Sequence, residues 1–179
     1  DTAFVVPEGD HPRIAEPFAH DPDGGIPMRL IDPRETPALQ SGGGGLMSTA
    51  ADYARFLQFV LNKGTLGGVR LLGPRTVDFM TADHLGGTIA HADNPLLPPG
   101  HGFGLGFAVR TRLGEANVHG SLGTYHWSGI GGTHFFVDPA QELFAIFMAQ
   151  APNQRVHYRS LMRGLVYGAV VTSQPLPPP

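Results

Sequence analysis

The segment at residues 123–138, GTYHWSGIGGTHFFVD, holds the residue types best suited to chemistry. A run of strand-forming residues ends at Ser128, and a second run begins near Thr133. Three glycines lie between them, namely Gly129, Gly131 and Gly132. Glycine lets a ligand or a backbone approach closely, and free N–H groups beside such a gap can donate to a developing oxyanion. A glycine-rich hairpin corner packed by Trp127 is the structural alternative.

Covalent catalysis requires a nucleophile with a base beside it, and the chain offers few such residues. It has no cysteine, and Lys63 is its single lysine. No serine begins an S-x-x-K motif, because Val60 occupies the position that would serve Lys63. Ser128 lacks the first glycine of a G-x-S-x-G elbow, and its base would have to be His126, on the same strand face, or His134. We therefore expect no catalytic nucleophile in this chain.

Metal and nucleotide sites are not indicated. The glycine run at residues 41–45 lacks the G-K-[ST] ending of a phosphate loop, so it predicts a flexible lead-in to a helix. The nine histidines show no H-E-x-x-H spacing. Residues 20–23 (HDPD) and the pair His134 and Asp138 could offer metal ligands, but solvated loop or strand residues are the favoured interpretation. We expect no metal ion and no organic cofactor.

Two helices are predicted upstream of the glycine-rich segment. Thr49 and Asp52 form a T-x-x-D capping box, in which each side chain can satisfy a free N–H group of the first turn. An apolar stripe at helical spacing follows, made of Tyr53, Phe56, Leu57, Val60 and Leu61. Gly64 then ends the helix. A shorter helix is predicted over residues 74–83, beginning with a proline that suits the first turn.

The chain then changes period, and residues 103–110 alternate bulky with small side chains, which predicts one strand with a nearly bare face. Further strands are predicted at residues 117–128, 133–138 and 142–149. Asp138-Pro139 predicts a turn that makes the last two strands a hairpin. A C-terminal helix would lie on the sheet through an apolar stripe of Tyr158, Leu161, Met162, Leu165, Val166 and Ala169. This order predicts an α+β fold, an antiparallel sheet flanked by helices.

The composition limits the function classes. The 179 residues carry 12 basic and 15 acidic side chains, a net charge of −3, and no basic run, which argues against nucleic-acid binding. A hydrophobic content of 41% with 15% charged residues argues against disorder. No apolar run approaches the ~18 residues that a membrane span requires, so no membrane span is expected.

The start of the chain, DTAFVVPEGD, has neither an initiator methionine nor the features of a signal peptide, and it resembles the middle of a longer protein. We expect residues 1–174 to form the C-terminal portion of a domain. Residues 175–179 (PLPPP) are predicted to form an extended proline-rich tail. Cellular location and oligomeric state stay open.

Four segments together resemble the serine β-lactamase/penicillin-binding-protein-like superfamily, and within it the class C β-lactamase-related family VIII carboxylesterases. They are SGGGGLMSTAADYARF, NKGTLGGVRLL, GFGLGFAV and YHWSGIGGTHFFVDP. The resemblance runs from about Asp1 to Val171. In such enzymes a K-T-G or W-x-G triplet on the innermost strand of the sheet lines the active site. The triplet here is Trp127-Ser128-Gly129, and tryptophan in its first position is similar to the esterase branch.

The resemblance implies a partial β-lactamase/transpeptidase-like fold and an acyl-enzyme mechanism on a small-molecule ester or β-lactam. It assigns Trp127 to the pocket wall, Ser128 and Gly129 to the strand edge against the substrate, and the Ile130 N–H to the second oxyanion donor. The S-x-x-K nucleophile and the assisting tyrosine would lie on a missing N-terminal segment of the same protein. Tyr158-Arg159-Ser160 fits the tyrosine motif Y-x-S formally, but its helical pattern predicts core packing.

Two alternatives stay open. A domain with the sheet edge but no nucleophile could bind peptides or acyl ligands, or serve a regulatory role. A cell-wall D,D-peptidase would keep the fold and change the substrate, although Trp127 replaces the lysine that helps to bind a substrate carboxylate. In the leading interpretation, this chain alone is expected to be inactive towards esters and β-lactams.

Overall fold

A computed structural model describes residues 1–17, 30–86 and 97–171. Three α-helices and seven β-strands are found in these ranges. The helices are α1 (Ala50–Leu61), α2 (Pro74–Met80) and α3 (Arg155–Gly168). The strands are β1 (Thr65–Leu66), β2 (Val69–Arg70), β3 (His101–Phe103), β4 (Ala108–Arg110), β5 (Tyr125–Ser128), β6 (His134–Asp138) and β7 (Leu143–Phe147). The segment at residues 20–23 and the predicted tail at residues 175–179 lie outside the described residues.

Helix α1 forms where the sequence predicts it, with a slightly rotated buried face. The Asp52 N–H donates to the Thr49 hydroxyl at 3.2 Å, which is the predicted N-cap. The Asp52 carboxylate accepts a bond from the Thr2 hydroxyl and does not complete the capping box. Phe56 of the predicted stripe is 39% exposed, whereas Phe59 is buried. Helical spacing therefore located the helix better than its contact face.

Helix α2 follows the β1–β2 hairpin and ends at Met80, before the predicted end at Asp83. The Asp83 carboxylate accepts bonds from the N–H groups of Leu85, at 2.9 Å, and Phe103, at 3.2 Å. Aspartate side chains that bond nearby backbone N–H groups compete with helix continuation. The helix therefore stops where this turn begins.

The predicted single strand over residues 103–110 is a tight hairpin of β3 and β4. The Gly104 N–H donates to the Phe107 carbonyl at 2.8 Å, and Gly106 has a φ of +93°. Glycine adopts positive φ at no steric cost. The alternating glycines thus mark a turn, and the prediction of one strand with a bare face is wrong.

The long strand predicted over residues 117–128 reduces to its last four residues, β5. A turn precedes it, in which the Thr124 N–H donates to the Ser121 carbonyl at 3.2 Å and Gly123 has a φ of +77°. Strands β6 and β7 form the predicted hairpin around Asp138. The result is a five-stranded antiparallel sheet in the order β3-β4-β5-β6-β7.

The two faces of this sheet are covered differently. The core face packs against α1 and α2, and its buried apolar cluster contains Leu57, Phe59, Val60, Val77, Phe107, Val109, Tyr125, Phe135 and Val137. Because side chains alternate along a strand, Phe136 points to the opposite side, which helix α3 covers. There Tyr167 of α3 stacks on the Phe136 ring at 5.4 Å. We call this side the α3 face.

Helix α3 buries a face that the sequence does not predict. Three residues of the predicted stripe, Tyr158, Leu161 and Leu165, are 40%, 46% and 66% exposed. Arg163 is instead 3% exposed, and its guanidinium lies 4.8 Å from the centre of the Phe136 ring. The helix is correctly predicted, but the stripe that was expected on the sheet largely faces outward.

The predicted α+β architecture, an antiparallel sheet flanked by helices, is confirmed. Within the described ranges, no helix combines the length and apolar character that crossing a membrane requires. The assignment of residues 1–174 to one portion of a domain stays a prediction.

Candidate active site

The triplet Trp127-Ser128-Gly129 lies where β5 ends and its neighbour β4 no longer pairs with it. Strand β4 pairs with β5 at Tyr125 and His126. On that side, Trp127 and Ser128 have no strand partner in the described part of the chain, whereas β6 pairs with all four residues of β5. The triplet therefore stands on a locally open sheet edge.

Trp127 and Ser128 point to opposite faces of the sheet, because side chains alternate along a strand. The Trp127 indole packs edge-on against the Phe103 ring, with centroids 4.9 Å apart, and contacts the apolar core. It is half-buried, so part of the ring remains available to line a pocket. Ser128 points to the α3 face, and its contribution to the open edge is its backbone.

A tight turn joins β5 to β6 and depends on glycine. A Cβ atom at Gly129 would lie 2.2 Å from Oγ1 of Thr133. The turn is closed by the Gly132 N–H, which donates to the Gly129 carbonyl at 3.2 Å, and Gly132 has a φ of +122°. Side chains at these two positions would displace the turn, which explains the glycine-rich sequence after the triplet.

Two carbonyl groups of this turn accept hydrogen bonds, and its N–H groups differ in whether they donate one. The Gly129 carbonyl accepts a bond from Nη2 of Arg159, and the Gly131 carbonyl accepts the Ala151 N–H at 2.7 Å. The Ile130 N–H donates to no partner within residues 1–17, 30–86 and 97–171. Its side chain is 64% exposed. An anion beside the turn could therefore accept a hydrogen bond from this N–H group.

Ser128 shares a hydrogen bond of 2.8 Å with Nδ1 of His134, a pair that the sequence offered only as an alternative. Burial, together with the charges of Arg163 and Arg159, lowers the pKa of His134 to about 3. A general base works best when its pKa lies near the working pH. His134 is neutral at pH 7 but a weak base, so this pair is poorly suited to activating a serine.

Three buried histidine rings, those of His101, His126 and His134, lie side by side on the α3 face. Their centroids are 5.2 Å and 5.6 Å apart from one ring to the next. Burial lowers the pKa of all three, and the charge of Arg163 lowers it further. In the described part of the chain, neither ring nitrogen of His126 has a hydrogen-bond partner. The rings are therefore neutral at pH 7.

The Asp138 carboxylate, which the sequence offered as a metal ligand with His134, is engaged in structural bonds. It is fully buried, accepts the Ser121 N–H at 3.0 Å and accepts the Tyr167 hydroxyl at 2.6 Å. No group of three histidine, aspartate or glutamate side chains among the described residues could hold a metal ion. Asp138 thus links β6 to α3 and to the turn before β5.

A family profile and a known relative each match most of this chain. A sequence profile described as Beta-lactamase matches residues 1–164. Protein Rv1367c of Mycobacterium tuberculosis (strain ATCC 25618 / H37Rv) is 33% identical over 159 residues, which cover 84% of this chain and 39% of that protein. The chain therefore spans about two fifths of the length of this relative.

Solved structures share the fold. EstCE1, described as a hydrolase with promiscuous acyltransferase activity, superposes with a TM-score of 0.75 at 26% identity, over 93% of this chain and 46% of its own. A penicillin-binding protein homolog from Caulobacter crescentus superposes with a TM-score of 0.53 at 22% identity, over 84% of this chain and 42% of its own. At that identity the second likeness concerns the fold alone.

Proposed function

The chain belongs to the beta-lactamase family, and from that membership we propose that it is the C-terminal part of a serine hydrolase that cleaves carboxyl esters. The resemblance to serine β-lactamases and penicillin-binding proteins is confirmed, as is the β-lactamase/transpeptidase-like fold. The shared architecture is that of serine hydrolases. Ester specificity, and a nucleophile upstream of residue 1, are our proposals.

The observation that carries the proposal is the turn after the triplet. Among the residues that the structure describes, the Ile130 N–H has no partner beside an open sheet edge, while the carbonyl of Gly129 is bonded on the other side. An N–H held in this way can stabilise the oxyanion of a tetrahedral intermediate, and loss of one such donor typically costs about 3 kcal/mol. The second donor would be the N–H of the nucleophile itself.

The proposed reaction proceeds through an acyl-enzyme. The serine oxygen of an upstream S-x-x-K motif attacks the ester carbonyl carbon, and its proton passes to the adjacent base. The tetrahedral intermediate places its oxyanion against the Ile130 N–H; its bond to the alkoxy oxygen then breaks, and that oxygen takes the proton back from the base and leaves as the alcohol. Water attacks the acyl-enzyme in the same way and releases the carboxylic acid. Trp127 would form a wall of the acyl pocket.

A nucleophile on an upstream segment agrees with the chemistry of this chain. The sequence contains no S-x-x-K motif. Ser128 is bonded to a histidine whose pKa is lowered to about 3, and it points to the α3 face, away from the core face that Trp127 joins. We therefore expect this chain alone to be inactive.

Ester substrates are favoured over β-lactams and peptides because the triplet begins with Trp127. An indole supplies apolar surface and a single N–H donor, with no positive charge for a substrate carboxylate. EstCE1, similar over 93% of this chain, is described as a hydrolase with promiscuous acyltransferase activity. We propose by analogy that an alcohol can replace water as the acceptor of the acyl group.

The test is labelling with a fluorophosphonate probe, read by intact mass. The 179-residue chain should take up no probe, and a protein extended upstream through an S-x-x-K segment should take up one equivalent. Ser128→Ala in the extended protein should leave the labelling unchanged. An adduct on the short chain that Ser128→Ala abolishes would contradict an upstream nucleophile.

Substrate class is tested with the same extended protein. Rates are compared for a short-chain p-nitrophenyl ester, a cephalosporin and a D-Ala-D-Ala peptide, and the ester should react fastest. Faster cleavage of the peptide would favour the D,D-peptidase alternative. If the natural reading frame holds no S-x-x-K segment and no serine is labelled, the binding or regulatory alternative replaces the enzyme.

A further inference from the structure

Arg159 of α3 donates to the backbone of the turn that joins β5 to β6, on the α3 face of the sheet. One nitrogen of its guanidinium, Nη2, donates to the Gly129 carbonyl and lies 3.5 Å from the Thr133 carbonyl. The Gly129 N–H donates to the same Thr133 carbonyl at 2.9 Å. One cation thus holds both ends of the turn that follows the triplet.

The bonded carbonyl belongs to the peptide that supplies the proposed oxyanion donor. The peptide between Gly129 and Ile130 carries the Gly129 C=O and the Ile130 N–H. In a planar trans peptide these two groups point in opposite directions. Because the C=O is directed at Arg159 on α3, the Ile130 N–H is directed away from α3, and it donates to no partner among the described residues.

We propose that Arg159 is a positioning residue for ester hydrolysis, which fixes the Gly129–Ile130 peptide so that the Ile130 N–H meets the oxyanion. This inference rests on the proposed function. A hydrogen bond from a charged group is about twice as strong as a neutral one, and a bond to the C=O polarises the peptide and strengthens its N–H as a donor. Arg159 thus orients the donor and raises its strength without touching substrate.

The surroundings of Arg159 favour this role over ordinary surface charge. The side chain is partly buried, and its Nε atom is buried without a partner among the described residues. Its neighbours in the Y-x-S pattern behave differently, since Tyr158 is 40% exposed and Ser160 is exposed. The part of that pattern directed at the site is therefore its central arginine.

The experiment measures ester hydrolysis by the full-length protein that carries the upstream segment. Arg159→Met removes the cation and both contacts while keeping an unbranched apolar stem on the helix. We expect kcat and kcat/KM to fall together by about tenfold, with KM within about twofold, because the oxyanion exists only in the transition state and the intermediate. The rate of inactivation by a fluorophosphonate should fall in parallel, since its phosphonyl oxygen occupies the same place.

Arg155→Met is the matched control. Arg155 lies one turn earlier on α3, and its Nη1 donates to the Pro152 carbonyl at 2.6 Å. This variant removes one cation from the same helix without touching the Gly129 peptide, so kcat should stay within about twofold of the wild-type value. Arg159→Lys keeps the charge with a shorter reach, and its kcat should lie between those of the wild type and Arg159→Met.

Each result separates this inference from the proposed function. A wild-type protein without ester hydrolysis overturns the proposed function and this role with it. Wild-type hydrolysis with Arg159→Met at full rate, or with Arg159→Met and Arg155→Met equally slow, overturns the role of Arg159 alone. If Arg159→Met loses its circular dichroism spectrum, Arg159→Lys decides: lower kcat at constant KM supports the role, and an unchanged kcat rejects it.

Discussion

The two faces of the five-stranded sheet use the same strands for opposite kinds of packing. Every residue of β6 is buried, yet Phe135 and Val137 join the apolar core while His134, Phe136 and Asp138 face α3. Apolar burial is favourable whatever apolar group lies opposite. A buried polar group, in contrast, requires a partner at the correct distance and angle.

This difference indicates on which face of the sheet the domain should tolerate substitutions and on which it should not. The core face can accept changes that keep volume. The α3 face holds Arg163 at 3% exposure and His126 at 7%, and both have buried nitrogen atoms without partners among the described residues. The same face also holds Arg159, which donates to the Gly129 carbonyl of the turn that carries the proposed oxyanion donor. Electrostatic changes on the α3 face should therefore reach the site, while changes on the core face should act through stability.

The largest effect is expected from the neighbouring residues Phe135 and Phe136, which face opposite sides. Phe135→Ala should lower the free energy of unfolding by about 4 kcal/mol, because it leaves a cavity in an apolar core. Phe136→Ala should cost about 1–2 kcal/mol less, since water can enter its cavity and bond the polar atoms of Arg163 and His126. Urea denaturation measures both values. Equal losses would contradict the distinction between the faces.

A smaller loss is expected from the buried carboxylate of the α3 face. Asp138→Asn should lower the free energy of unfolding by about 2–3 kcal/mol, because it replaces a buried carboxylate that bonds Ser121 and Tyr167 and whose negative charge stabilises the nearby Arg163 cation. Tyr167→Phe removes a single hydrogen bond to Asp138 and should cost about 1 kcal/mol. Thermal and urea unfolding of the two variants give the comparison. A loss for Asp138→Asn no greater than for Tyr167→Phe would show that the charge contributes little.

Low pH should destabilise the folded chain through the histidines of the α3 face. The pKa values of His101, His126 and His134 are lowered in the folded chain, that of His134 to about 3. Above about pH 6.5 neither state binds these protons, and below it the unfolded chain binds them first. Stability should therefore fall with decreasing pH from about 6.5, by about 1.4 kcal/mol per pH unit for each histidine that stays neutral. Unfolding curves at several pH values, showing no such decline, would refute buried neutral rings.

The smallest effect at pH 7 is expected from His126→Met. Both ring nitrogens of His126 are buried without a partner among the described residues, so an apolar side chain of similar size loses no hydrogen bond there. The free energy of unfolding should change by less than about 1 kcal/mol at pH 7. At pH 5 the free energy of unfolding of the variant should exceed that of the wild type. The variant lacks a histidine that binds a proton in the unfolded chain but stays neutral in the folded one. A large loss of stability at pH 7 would contradict a His126 ring without hydrogen-bond partners.

Several features follow from local pattern and were predictable. Helix α1 follows from its Thr49 cap and apolar spacing, and the β6–β7 hairpin follows from strand-forming runs around Asp138-Pro139. The sequence also indicates the glycine-rich turn after the triplet, where a Cβ atom at Gly129 would lie 2.2 Å from Oγ1 of Thr133. Local backbone preferences act over a few residues, so a single sequence can reveal them.

Other predictions failed because the same sequence pattern is compatible with two structures. Alternating glycines over residues 103–110 fit a bare strand face as well as a hairpin turn, and the positive φ of Gly106 decides for the turn. The apolar stripe of α3 predicts a helix, but not which side of it meets the sheet. Arg163 is buried because its guanidinium lies over the Phe136 ring of the sheet, and spacing along the helix carries no information about that ring.

The sequence by itself determined the family block at residues 123–138, the α+β architecture, and the lack of a cysteine or an S-x-x-K nucleophile in this chain. The tertiary structure alone decided that Ser128 bonds His134 across two strands and that Arg159 reaches a carbonyl 30 residues away. Such contacts depend on strand register and on the rotation of a helix about its axis. Both are set by the packing of all the elements together, so no local run of residues encodes them.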